Sequence, residues 1–183
     1  MKGWAAGERR HEGWCVMSRS GYTDDNEDPL AHGRWRQAVK RSLEGKRGQA
    51  LLRELVEALD AMPDKRLYPG SFATPEGEFC TLGVLGAKRG TKMDDLGDDY
   101  ECDTATVGQR FGIAPAMAAE IMYMNDEYAV DEWKWVDVEI CGPLREGWRD
   151  KRVRSVRVRN DNHPVERWQR MRAWAVANLK PPN

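Results

Sequence analysis

The sequence predicts a mostly helical α+β fold, in which a compact helical domain carries one inserted antiparallel β-hairpin before its C-terminal helix. Three observations support this prediction: apolar residues recur at helical spacing through much of the chain, two segments between residues 133 and 159 alternate apolar with polar residues, and there is no internal repeat. The chain has 183 residues, 40% of them apolar, which suits one domain with a sizeable core.

The predicted domain spans residues 29–180, with the hairpin inserted at about 128–160. Residues 1–28 carry Gly, Ser, Asp and Asn without a periodic apolar pattern, so we expect a flexible N-terminal segment. Met17 begins the phrase MSRSGYTDD, so both Met1 and Met17 are candidate translation starts.

The first two helices follow from capping signals and apolar spacing. In Asp28-Pro29 an N-cap acceptor precedes a proline, which predicts a helix from there through Ser42. Gly45 and Gly48 are expected to break the chain, and Gln49–Met62 predicts the second helix. Its apolar stripe consists of Leu51, Leu52, Leu55, Val56, Leu59 and Met62.

The middle of the chain predicts a turn and three short helices. Thr74–Glu78 has turn composition. Phe79–Ala87 permits a strand or a helix, and its spacing and glycines favour a helix. Thr104–Phe111 and Pro115–Asn125 predict a helix-turn-helix-like pair with Gly112 at the turn. The second helix of this pair has no cation at its front, so we interpret the pair as a packing unit and not as a DNA reader.

Alternation predicts the hairpin strands at Trp133–Cys141 and Val153–Arg159, joined by a long tip, Gly142–Lys151. Paired antiparallel, the acids of the first strand are expected to face the arginines of the second. A last helix is expected from Pro164 to about Asn178. Its buried stripe is predicted to be Val165, Trp168, Met171 and Ala175.

Charge is distributed in blocks, although the formal net charge is only −1. Arg34–Glu54 holds seven Lys/Arg against two acids, Asp94–Glu132 eleven acids against one Arg, and Arg145–Arg172 ten Lys/Arg against four acids. Either these blocks neutralise one another across the fold, or one of them is an electrostatic footprint for a partner.

The sequence carries no recognisable catalytic, metal or cofactor motif. No apolar run approaches the length of a membrane span, and the N-terminus does not look like a signal peptide, so we expect a cytoplasmic protein. In that compartment the cysteines are expected to be free thiols. Two weaker enzymatic alternatives stay open, one through Cys80 and one through the acidic loop Asp94–Asp103. The four cysteines are Cys15, Cys80, Cys102 and Cys141.

The best functional signal is a tryptophan–arginine cluster in the hairpin, which cannot bury all its aromatic residues. Such a composition is typical of protein interfaces, and it also suits phosphate contacts with base stacking. We therefore expect a non-enzymatic binding protein, with nucleic-acid binding as the alternative. The candidate partner-binding residues are Trp133, Trp135, Trp148, Arg152, Arg154, Arg157 and Arg159.

Five blocks in order resemble a family of small uncharacterised phage and prophage proteins. They are MSRSGYTDD, RWRQAVKRSLEGKRGQALLRELVEALDAMPDKRL, TPEGEFCTLGVLGAKRG, FGIAPAMAAEIMYMNDE and ERWQRMRAWAVANL. The resemblance covers about 17–127 and 164–179, and leaves out residues 1–16 and the hairpin. It implies an accessory protein of a temperate phage or its host, a class that includes inhibitors of host defence systems. It implies no catalytic residue and no cofactor.

Overall fold

The computed structural model describes residues 29–93, 95–96, 102–126, 133–139 and 153–181. Within them the chain forms six helices and one two-stranded antiparallel sheet, which confirms the predicted mostly helical α+β class. We refer to α1–α6 as the helical body and to β1 and β2 as the ribbon. The elements are α1 (Pro29–Glu44), α2 (Lys46–Ala61), α3 (Thr81–Arg89), α4 (Thr104–Phe111), α5 (Pro115–Asp126), β1 (Trp133–Glu139), β2 (Val153–Arg159) and α6 (His163–Ala177).

The connection between helices α1 and α2 is shorter than predicted. Gly45 is the N-cap of α2, but Gly48 lies inside that helix, so the prediction that Gly48 breaks the chain is wrong. A Cβ on Gly48 would lie 2.0 Å from the carbonyl oxygen of Ser42. The glycine therefore allows α2 to pack closely against the end of α1. A glycine with this role and a glycine that breaks a helix look the same in the sequence.

The segment Phe79–Ala87 contributes a helix, as favoured, and α3 packs against α2. Cys80 is the N-cap residue, and its Sγ accepts a hydrogen bond from the amide of Gly83 at 3.4 Å. The predicted turn at Thr74–Glu78 is confirmed by the amides of Thr74 and Gly77, which donate to Glu78 and Thr74 respectively. This turn and Phe72 lead the chain back over the first turn of α3.

Helices α4 and α5 form the predicted pair, joined through Gly112 in the left-handed conformation at φ 71°. Helix α5 is buried almost all round, and its apolar residues contact α1, α3, α4 and α6. A helix enclosed in this way has no free face to insert into a DNA groove, which agrees with the interpretation of the pair as a packing unit. Helix α5 is thus the centre of the helical body.

Helix α6 covers the body with one row of residues spaced four apart: His163, Arg167, Met171 and Ala175. The predicted stripe was right for Met171 and Ala175, whereas Val165 and Trp168 are only partly buried. Arg167 is fully buried, and it donates to the carbonyls of Asn125 (2.7 Å) and Leu67 (3.2 Å). These bonds tie α6 to the end of α5 and to the chain after α2.

One hydrophobic cluster takes residues from all six helices and from the connections around Leu67, Phe72 and Met93. No helix in the described ranges has both the length and the apolarity that crossing a bilayer requires.

Candidate functional site: an exposed tryptophan–arginine ribbon

The ribbon joins the helical body directly at α6. Strand β2 ends at Arg159, and α6 begins at His163 after a short turn in which the amide of His163 donates to the carbonyl of Asn160. Among the described residues the two strands contact each other extensively, and they contact the helices only sparsely. A two-stranded sheet without a covering layer gains little stability by itself, so the root at α6 is an important anchor.

The strand register places the tryptophans and two arginines together. Trp133 lies opposite Arg159 and Trp135 lies opposite Arg157. Because directly opposed residues of an antiparallel pair project to the same side, these four side chains share one face, which we call the aromatic face. The Arg157 guanidinium lies 5.2 Å from the ring centre of Trp133, within cation–π distance.

The aromatic face is open to solvent. Trp133 is 47% exposed and Trp135 is 72% exposed, and both arginines are exposed. The expectation that the hairpin leaves tryptophans uncovered is therefore confirmed for these two residues. Tryptophan at such exposure is uncommon on a surface that only meets water, because it loses the benefit of burying its large ring.

The ribbon arginines differ from those of the helical body in their partners. On the body, Arg89 pairs with Glu54 at 2.6 Å and Arg110 pairs with Asp95 at 2.8 Å, and each hydrogen-bonded guanidinium lowers the pKa of its carboxyl partner. Within the described part of the chain, Arg154, Arg157 and Arg159 take part in no ion pair.

The predicted facing of acids and arginines across the hairpin is wrong. Asp137 lies opposite Ser155, whose hydroxyl donates to its carboxylate, and Glu139 lies opposite Val153. The alternation of apolar and polar residues predicts the two strands correctly. It does not determine the register between them, because the register depends on how the strands are connected. As a result Arg157 and Arg159 oppose tryptophans, whereas Arg154 opposes Val138 on the other face, and all three arginines are exposed.

The other face of the ribbon is aliphatic. It carries four valines, flanked by the exposed cations Lys134 and Arg154. Val138 is 42% exposed, and the other three valines are partly buried. The two faces therefore differ in chemistry, which makes substitutions on one a control for substitutions on the other. The valines are Val136, Val138, Val156 and Val158.

A polar cavity of about 480 Å³ lies at the root of the ribbon. It brings Arg159 of β2 together with Arg66, Tyr68 and Glu78 from the connection before α3, and with His163 of α6. The sequence does not predict this site, because Arg66 and Arg159 are 93 positions apart and no local motif links them. Its lining also includes Asp161, so acidic and basic side chains both border the cavity.

Most of the other residues singled out from the sequence either lie outside the described residues or are buried. Trp148, Arg152 and residues 1–28 lie outside the described residues, as does most of the acidic loop. The Cys80 side chain is buried at 2% exposure and acts as a helix cap, so its thiol lacks the access that the enzymatic alternative needs. In the described ranges no three His, Cys, Asp or Glu side chains group as a metal site would require.

Comparison with protein-family models, with curated proteins and with solved structures found no match to this chain.

Proposed function

We propose that this protein acts by binding, and that the aromatic face of its ribbon docks onto an acidic surface of a host protein or complex. The observation that carries the proposal is the exposed pair Trp133 and Trp135, which lie opposite arginines that form no ion pair with a described acid. Tryptophan and arginine are the residues most enriched among those that dominate binding energy, because burying them excludes water over a large area.

The charge around the tryptophans supports an acidic partner. Arg157 and Arg159 lie directly opposite Trp135 and Trp133, whereas the acids on the same face, Asp137 and Glu139, occupy register positions further from α6. A positive surface accelerates encounter with a negative one and disfavours basic partners. Together with the resemblance to phage and prophage proteins, this supports an accessory role in the bacterial cytoplasm, such as the inhibition of a host defence complex.

The test is quantitative capture of a partner by the full chain, followed by an affinity measurement with the purified partner. We expect recovery at near-stoichiometric yield, and Trp135→Ser to weaken binding by at least about tenfold, since a central aromatic contributes roughly 2 kcal/mol. Leu30→Ser is the matched control, because Leu30 is equally exposed at 72% but lies on α1. Failure to recover a stoichiometric partner, or equal loss in both variants, would overturn the proposal.

The absence of ion pairs for the ribbon arginines among the described residues also favours a second candidate, nucleic-acid binding. A two-stranded ribbon fits the major groove, and its cations would contact phosphates while a tryptophan stacks on an exposed base.

Fluorescence anisotropy with duplex and single-stranded oligonucleotides tests nucleic-acid binding. Binding at roughly 50 mM salt should weaken steeply by roughly 200 mM salt. Arg157→Ala should reduce it and Arg53→Ala, on the exposed surface of α2, should not. No binding at the lower salt removes this candidate.

A further inference from the structure

The outer edge of β1 pairs with no strand in the described part of the chain. Among the described residues the sheet consists of β1 and β2 alone, so the other edge of β1 presents backbone N–H and C=O groups. The side chains at positions 133–135, 137 and 138 are exposed, and that of Val136 is partly buried. Because a two-stranded sheet is only marginally stable by itself, this edge favours the addition of another strand.

The charge of β1 changes sign along the strand. Lys134 lies near its start, and the two acids Asp137 and Glu139 lie in its second half. Such a strand is complementary to a second copy of itself in antiparallel pairing, because the positive start of each then lies beside the negative end of the other. Strand β2 carries arginines at positions 154, 157 and 159 and no acid, so pairing two copies of β2 would bring like charges together.

An antiparallel register centred on Val136 pairs all seven residues of β1 with those of a second copy. Val136 then lies opposite its own counterpart, and Trp135 lies opposite Asp137 of the second copy. Lys134 lies opposite Val138 of the second copy. Since directly opposed residues project to the same side, the aromatic faces of both copies share one side of the joint sheet. Centring the register on residue 137 instead would pair fewer residues and oppose Asp137 to itself.

On the other side of the joint sheet this register forms a continuous aliphatic row. Within one chain Val156 lies opposite Val136, so the central row of the four strands consists of these two valines and their counterparts. Val138, which is 42% exposed, gains the methylene chain of Lys134 of the second copy as a neighbour. Four strands with an apolar face exceed the three that independent stability of a sheet requires.

We propose that this protein forms a two-fold symmetric dimer in which the outer edges of two β1 strands pair antiparallel about Val136. The interface is isologous, as a two-fold dimer requires, and it joins the two ribbons into one four-stranded sheet. The pairing uses the edge of the ribbon and leaves the aromatic face open, so it goes beyond the function proposed above. The dimer presents two tryptophan–arginine clusters on one surface, which favours a partner that has two acidic sites.

Sedimentation analysis of the purified full chain at increasing concentration tests the dimer. We expect the mass to approach that of two chains at about 100 μM, since a small interface is expected to dissociate in the micromolar range. Val138→Glu should tighten the dimer and Val138→Lys should weaken it, because residue 138 lies opposite Lys134 of the second copy. The dissociation constants of the two variants should differ by at least about fivefold.

Val158 provides the matched control. It lies opposite Lys134 within the same chain, on the same face as Val138, but it belongs to β2. Val158→Glu and Val158→Lys should therefore change the dissociation constant far less than the Val138 variants do. A larger effect at Val158 would assign the interface to the edge of β2 and overturn the inference. A mass of one chain at every concentration, or equal constants for the two Val138 variants, would also overturn it.

Cross-linking tests the register even if a charged variant disturbs the ribbon. Val136→Cys places two thiols opposite each other, at a Cα separation of about 4.5 to 5.5 Å that suits a disulfide. Mild oxidation should give a covalent dimer in a background where Cys15, Cys102 and Cys141 are replaced by serine. Val156→Cys, on the same face of β2, is the control and should stay monomeric, so equal cross-linking at both positions contradicts the register.

These measurements use the purified chain alone, so their outcome does not depend on the capture of a host partner. The alternative occupant of the β1 edge is a strand of that partner. A chain that stays monomeric by itself but loses a captured partner on Val138→Lys would assign the edge to that strand, and the dimer would be ruled out.

Discussion

The helical body and the ribbon satisfy their polar and apolar groups in opposite ways. In the body even a fully buried arginine, Arg167, finds backbone acceptors on two other segments, and the surface arginines Arg89 and Arg110 pair with acids. In the ribbon two tryptophans are exposed to solvent, and the neighbouring arginines form no ion pair with a described acid. We therefore expect substitutions in the body to lower the free energy of unfolding, and substitutions on the aromatic face to weaken binding without unfolding the chain.

The largest expected effect on stability is at Arg167. Replacement by Met leaves the carbonyls of Asn125 and Leu67 without their donor inside the core, and we expect a loss of about 3 to 5 kcal/mol in the free energy of unfolding. Urea unfolding followed by circular dichroism measures it. Arg53→Met, on the exposed surface of α2, is the control and should change little. A loss below about 1 kcal/mol at Arg167 would show that the buried guanidinium does not hold α6 in place.

The next effect concerns the close approach of Phe72 to α3. A Cβ on Gly83 would lie 1.7 Å from the Phe72 carbonyl oxygen, so Gly83→Ala forces the backbone apart and should cost about 3 kcal/mol. Gly33→Ala in α1, where an added Cβ meets nothing within 4 Å, should instead stabilise the protein by about 0.5 to 1 kcal/mol. Thermal unfolding of both variants checks the opposite signs, and equal shifts would contradict the packing at Gly83.

A smaller effect is the pH dependence set by Glu120. Its pKa is about 7 in the folded chain against an ordinary 4.5, so between these values the folded state holds the extra proton and stability falls as pH rises. We expect Glu120→Gln to gain about 2 kcal/mol in the free energy of unfolding over the unchanged protein near pH 8, because a neutral amide avoids the cost of a buried charge, and to gain little near pH 4.5. Chemical unfolding at both pH values measures the difference. A gain independent of pH would contradict the titration of a buried carboxyl.

The smallest effect on stability is expected in the ribbon. Trp135→Ser removes an exposed side chain, so the free energy of unfolding should stay within about 0.5 kcal/mol while partner affinity falls. The same denaturation experiment, run beside the capture assay, compares the two readouts. A large loss of stability here would mean that the tryptophan packs within the chain and would remove the contrast between the two regions.

Local signals in the sequence predicted much of the fold. The alternation of β1 and β2, the left-handed Gly112 and the turn before Phe79 depend on neighbouring residues, and each was recognised. Gly48 was misjudged because a glycine that permits helix contact and one that breaks a helix have the same local composition.

The tertiary partners of polar residues were less accessible to sequence analysis. Arg167 and Glu120 are charged residues in core positions, and their burial depends on segments distant in the chain. The exposure of Trp133 and Trp135 was predictable because a hairpin lacks enough surface to cover several indoles. The pairing of those indoles with arginines required the strand register, which the structure supplied.

The ribbon contacts the helices only sparsely, so the two regions should differ in how readily their residues are replaced during evolution. We expect substitutions at positions 133, 135, 157 and 159 to leave the core packing of α5 unchanged, because the strands contact the helices only sparsely. The interior of α5, enclosed on nearly all sides, tolerates few replacements. The helical framework should therefore tolerate few replacements and the ribbon many, and we expect related chains to differ most between residues 127 and 160.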